Sequence, residues 1–134
     1  TRLFDLYSSQ EAGSMAIQCP DYETYHAHSE VMILEVLNER GEACAPGEFG
    51  RVVVTPLSNY ATPLFRYEIG DLAERGAACA CGRGLPVLNR ILGRRRNLLT
   101  TPDGRHYWPA IGAKDIHTVL PIKEHQFRQT APGV

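Results

Sequence analysis

The chain has 134 residues, 43% of them hydrophobic, and fourteen Lys plus Arg against fifteen Asp plus Glu leave a formal net charge of -1. That length supports one modest core and is too short for two ordinary domains, and the balanced charge offers no field for nucleic acid or an anionic membrane surface. The longest apolar runs, Val31 to Leu34 and Val52 to Val54, fall far below the roughly 20 residues of a membrane span, and the first residues lack a signal-peptide pattern, so a soluble, cytoplasmic protein without membrane insertion is expected.

Leu3-Phe4-Asp5-Leu6-Tyr7 reads as the end of a buried strand already under way at the first residue, so the chain is expected to be a piece of a longer one. Ser8 to Gly13 reads as a loop and Met15 to Cys19 as the next strand. Cys19 to His28 is polar and irregular. Glu30 to Leu37 is rich in branched residues and stops at the turn residues Asn38-Glu39-Arg40-Gly41. Pro46-Gly47-Glu48-Phe49-Gly50 then leads into Arg51-Val52-Val53-Val54-Thr55, at a spacing that suits an antiparallel pair. Pro56 to Pro63 reads as a linker, and Leu64 to Tyr67 and Asp71 to Ala73 as short strands around Gly70.

Leu85 to Leu92 is apolar, and the charged, hinge-like run Gly93 to Asn97 leads into Leu98-Leu99-Thr100 and the turn Pro102-Asp103-Gly104, a second hairpin candidate. Only Pro109 to Leu120 offers a helix, with Ile111, Ile116, Val119 and Leu120 loosely at helical spacing. Ile122 to Gln129 alternates like a strand with no partner after it. The fold class expected is therefore mainly β with a little helix.

Four cysteines in an intracellular setting argue for metal over a disulfide framework. Cys79-x-Cys81 places two soft sulfurs in one tight loop, and Cys19 with His26 adds an S,N pair from the irregular segment. Together they make a Cys3His set suited to tetrahedral, structural Zn²⁺. His28 is the competing ligand, a lone histidine is more often a surface residue, and Cys44 reads as a free thiol in a polar loop.

Three segments carry a resemblance. Tyr7-Ser8-Ser9-Gln10-Glu11-Ala12-Gly13 resembles the aromatic, small, small, polar, Glu segment of adenylate-forming enzymes. Some forty residues on, Gly50 to Asp71, with Thr55-Pro56-Leu57 at one end and Arg66-Tyr67-Glu68-Ile69-Gly70-Asp71 at the other, resembles that superfamily's signature almost position by position. Cys79-Ala80-Cys81-Gly82-Arg83, followed by Ile91-Leu92-Gly93-Arg94, resembles the phenylacetate-coenzyme A ligase branch. Arg96-Asn97-Leu98-Leu99, Pro102-Asp103-Gly104 and Trp108-Pro109 are similar to its capsule-biosynthesis relatives.

The resemblance implies an antiparallel β-barrel-like subdomain over 1–92, the carboxyl-side part of the adenylating domain. A hinge at 93–97 and the start of a small lid over 98–134 would follow. It implies activation of a small carboxylic acid by ATP, release of pyrophosphate, and capture of the acyl-adenylate by coenzyme A. Tyr7 would lie against adenine, Ser8 and Ser9 would line the nucleotide pocket, and Glu11 would help hold Mg²⁺. Asp71 would accept from the ribose hydroxyls, and Arg94 would contact ribose or phosphate.

Taken singly, these residues have plainer readings: Tyr7 a packed aromatic, Asp71 a turn residue, Glu11 a solvated charge, and Arg94 to Arg96 a charged turn. Order and spacing together favour the ligase. Two departures stand against it. Coenzyme A ligases commonly carry an acidic or lysine hinge where this chain has Arg96, which leaves open a hydroxyl or amine acceptor in place of coenzyme A. The family's phosphate loop and late catalytic lysine have no counterpart, so this piece alone should not turn over, and a non-catalytic, zinc-stabilised β module for partner binding remains the second reading.

Overall fold

The computed structural model describes residues 3–107 and 128–131. The chain divides into two compact units, Thr1–Arg95 and Arg96–Val134, where length alone favoured one. The first unit is built from β1 (Leu6–Ser9), β2 (Gly13–Gln18), β3 (Tyr25–Ala27), β4 (Met32–Leu37), β5 (Phe49–Pro56), β6 (Tyr67–Arg75) and β7 (Val87–Arg94). They form one sheet in the order β1-β2-β3-β7-β6-β5-β4, with every ladder antiparallel. The mainly β expectation holds.

Several local readings change. Ser8 and Ser9 belong to β1, so the strand continues into what the small residues marked as loop. β3 lies inside the stretch read as irregular, and of the two short strands read around Gly70, Leu64 to Arg66 lie outside any strand while Tyr67 to Arg75 form one nine-residue strand, which absorbs its irregularity as register shifts.

Side-chain alternation sets the core. On β6, Ile69, Asp71 and Ala73 are all buried, because residues two apart share a face; an apolar period therefore carries a carboxylate inward with it. Met15, Ala16, Met32, Val36, Val52, Val54 and Leu88 complete the cluster, together with Tyr7 and Cys44. Cys44 sits in the loop between β4 and β5, as read, but its side chain is fully buried; its thiol is free, as expected.

The sheet must curl. β3 and β4 are four ladder steps apart, about 19 Å across a flat sheet. Only residues 28–31 connect them, and these fold into a turn in which Met32 N donates to His28 O at 3.1 Å. A turn that short does not span a flat sheet, so the strands bend round the core. The bending stops short of a barrel: β1 and β4 are edges with no ladder between them. The barrel-like expectation is thus corrected to a curled, open sheet. The four-residue β1, broken by a register shift between Tyr7 and Ser8, offers little edge to close against.

A 3₁₀ turn, Arg95–Asn97, follows β7. In the second unit, β8 (Leu99–Thr100) and β9 (His106–Tyr107) form the hairpin that the turn residues marked, with Leu99 opposite Tyr107. The Gln129 amide group bonds both backbone groups of Thr100 at 2.7 Å each. The helix expected over 109–120 and residues 122–127 of the expected last strand lie outside the described residues. No described helix is long and apolar enough to cross a membrane.

Candidate functional site: a buried carboxylate cluster and a Cys3His centre

Two side-chain clusters stand out in the first unit. In the first, Tyr7 Oη donates to Asp71 Oδ2 at 2.7 Å, and Arg94 Nε lies 3.5 Å from Asp71 Oδ1. Arg94 also donates through Nη1 to the Ile69 carbonyl at 2.5 Å. Asp71 and Arg94 are direct partners in the β6–β7 ladder, so the sheet register itself sets the ion pair. Tyr7 arrives from β1, four ladder steps from β6. Tyr7 and Asp71 are only 9% and 7% exposed. Burial first, and then the bond and negative charge of Asp71, push the Tyr7 phenol well above its ordinary range, so it stays a donor.

Three of the sequence-marked residues, Tyr7, Asp71 and Arg94, therefore meet in one group, joined by a hydrogen bond and an ion pair. The others lie on the β1–β2 hairpin: Ser8 and Glu11 are exposed, and Ser9 Oγ accepts from Ala12 N at 3.0 Å, closing the turn. The carboxylate that the resemblance assigns to ribose already accepts from the tyrosine assigned to adenine.

In the second cluster, the ligand atoms of Cys19, His26, Cys79 and Cys81 all lie within 4.8 Å of one another. Cys19 follows β2, His26 is in β3, and both Cys79 and Cys81 sit in the loop between β6 and β7. The Sγ atoms of Cys19 and Cys79 are 3.9 Å apart, too far for a disulfide, whose bond is about 2.05 Å. Cys81 Sγ is 3.2 Å from His26 Nε2. Zn–S bonds of about 2.3 Å and Zn–N bonds of about 2.0–2.1 Å give tetrahedron edges of roughly 3.6–3.8 Å, which the observed spacings bracket. The four groups are compatible with a tetrahedral metal.

The electrostatics agree. Burial, and then the charge of Arg83, hold His26 below the usual imidazole range, in the neutral form a metal needs. The backbone amide of Arg83 leads the effects that bring Cys81 down to about 7. The competing ligand His28 is not among the four clustered donors; its Nδ1 lies 3.0 Å from Ser14 Oγ. Three contacts around the centre carried no signal that spacing could read. Thr24 Oγ1 lies 3.8 Å from Cys79 Sγ, Arg83 Nη1 lies 3.7 Å from Cys19 Sγ, and Arg83 pairs with Asp21 at 3.5 Å.

A curled antiparallel sheet holding a four-ligand thiolate-imidazole centre defines a metal-compatible β unit. No family model matches the chain. Over 76 residues it is 37% identical to the phenylacetate-coenzyme A ligase of Thermus thermophilus, a match covering 55% of this chain and 17% of that relative. The likeness thus spans under a fifth of the relative's length.

Proposed function

We propose that this chain is the carboxyl-side part of the adenylating region of an ATP-dependent acid–thiol ligase of the phenylacetate-coenzyme A ligase kind, near its capsule-biosynthesis relatives. The observation that carries the reading is the meeting of Tyr7, Asp71 and Arg94. These residues come from β1, β6 and β7, and the resemblance marks all three for the nucleotide. The partial identity to a phenylacetate-coenzyme A ligase supports it.

In this reading ATP binds with its ribose on Asp71, whose carboxylate accepts from both hydroxyls once Tyr7 turns its ring to the adenine. Arg94 neutralises charge at the ribose or phosphate, Ser8 and Ser9 line the pocket, and Glu11 holds Mg²⁺. A small carboxylic acid attacks the α-phosphorus, pyrophosphate leaves, and coenzyme A takes the acyl group from the adenylate. Residues 93–97 act as the hinge and 98–134 as the start of the lid; the division between Arg95 and Arg96 supports that placement. The setting is cytoplasmic. Cys19, His26, Cys79 and Cys81 hold a structural Zn²⁺, because four protein ligands leave no position open for substrate.

ATP–pyrophosphate exchange on the full-length protein, with a panel of aryl and aliphatic acids, tests the reading. Exchange that needs one acid class and collapses in Asp71→Ala is the expected result. Absence of exchange with every acid, from folded protein, would favour the zinc-stabilised binding module.

A further inference from the structure

Three thiolates, one neutral imidazole and a divalent cation sum to a charge of -1. Such a centre is stable in a partly buried loop only if something nearby offsets the excess and caps the sulfur lone pairs. Among the described residues, Arg83 is the cation in contact: its Nη1 lies 3.7 Å from Cys19 Sγ. The same nitrogen lies 3.5 Å from Asp21 Oδ2, so the guanidinium sits between the sulfur and a carboxylate on the Cys19 side of the site.

The backbone holds it there. Gly82 and Gly84, on either side of Arg83, both adopt positive φ, 78° and 68°, and Gly82 N donates to Cys79 O at 3.3 Å. A loop with two left-handed residues turns tightly after Cys81 and sends the next side chain back over the sulfurs. Among the described residues Arg83 makes no other side-chain ion pair with a carboxylate, while Asp21 fixes one end of its fork.

We propose that Arg83 is a positioning residue for the metal. It neutralises the excess thiolate charge and donates an N–H···S bond to Cys19, and Asp21 orients it. This rests on reading the four residues as a zinc site. Arg83 keeps the centre tight and its sulfurs poorly nucleophilic, since a sulfur whose lone pair is shared with a guanidinium attacks electrophiles slowly.

The test uses the full chain, with zinc affinity from chelator competition and the rate at which an excess of alkylating agent releases zinc. Zinc bound to wild type at one per chain comes first; a folded wild type that takes up no zinc overturns the site and Arg83's role with it. Given zinc, Arg83→Met is expected to weaken affinity about 10- to 100-fold and to speed alkylation-driven release. Arg83→Lys, which keeps charge, is expected to recover most of the affinity. Because Arg83 is part-exposed, neither change removes core packing; Asp21→Asn, more exposed still, should weaken affinity by a smaller factor. Wild-type affinity and release rate in Arg83→Met, or Arg83→Lys no better than Met, overturns the proposal while leaving the zinc site standing.

Discussion

The Tyr7 hydroxyl donates to the Asp71 carboxylate at 2.7 Å, although their strands stand four places apart in the sheet. A flat sheet would separate them by about 19 Å. The bond is therefore a direct consequence of the curl, and it ties the β1 edge to the middle of β6. It also gives Asp71 two partners inside the core, Tyr7 on one oxygen and Arg94 near the other, which is how a carboxylate survives between Ile69 and Ala73.

Tyr7→Phe removes the donor and leaves a buried carboxylate oxygen short of a partner, so it should destabilise the fold by about 1–3 kcal/mol. Urea denaturation checks this. The pH dependence follows from the raised phenol. A group whose folded pKa lies above its unfolded value of about 10 contributes stability in full below that pH and loses it as pH rises. The gap between wild type and Tyr7→Phe should accordingly stay constant up to about pH 10 and shrink above it. A gap that widens in alkali would contradict the burial of an un-ionised phenol.

The cluster of Cys19, His26, Cys79 and Cys81 was legible because soft donors are few and Cys79-x-Cys81 fixes two of them in one loop; only the curl was needed to bring Cys19 and His26 to meet them. The meeting of Tyr7 with Asp71 was not legible. Both residues were read towards a nucleotide, and nothing in linear spacing reports a contact across four strands. β3 escaped notice because three residues carry no period, and it exists by pairing on both sides with β2 and β7. The barrel-like expectation came from the resemblance, and closure depends on the edges, which the matched motifs do not report. Cys44 lies in a loop that carries Glu42 and Glu48, whereas its own side chain packs against Gly50.

That packing gives a sharp prediction. A Cβ on Gly50 would lie 2.5 Å from both Cys44 Sγ and the Leu37 carbonyl oxygen. Gly50→Ala should cost about 1–3 kcal/mol through forced displacement of the β4–β5 corner. Adding Cys44→Ala relieves the sulfur contact and leaves the backbone one, so the double variant should recover part of the loss in a thermal melt. Full recovery would show that the carbonyl yields freely.

In metal-free protein the four cysteines should differ in reactivity. Cys81, brought down to about 7, is about half thiolate at neutral pH; Cys44 is pushed up by burial, then by Glu48. Thiolates are the nucleophiles, so brief iodoacetamide labelling read by peptide mass spectrometry should find Cys81 modified early and Cys44 last. Early labelling of Cys44 would mean that its corner opens readily.

The Cys3His cluster joins the end of β2, the middle of β3 and the β6–β7 loop, and β3 is the weakest link among them. With three residues, β3 contributes few ladder bonds: it meets β7 only at Tyr25–Leu88 and His26–Val87. A metal bound to the native centre and not to the unfolded chain adds its binding free energy to stability. Chelation of the zinc-loaded protein should therefore lower the melting temperature by at least about 10 °C, since 1 kcal/mol moves a domain of this size by roughly 4–8 °C. The loss should also be local. Amide hydrogen exchange at Tyr25, His26 and Ala27 should accelerate before that at Val52 to Val54, whose strand is paired on both sides along most of its length. Uniform loss of protection across both regions would mean that β3 does not depend on the metal more than the rest of the sheet does.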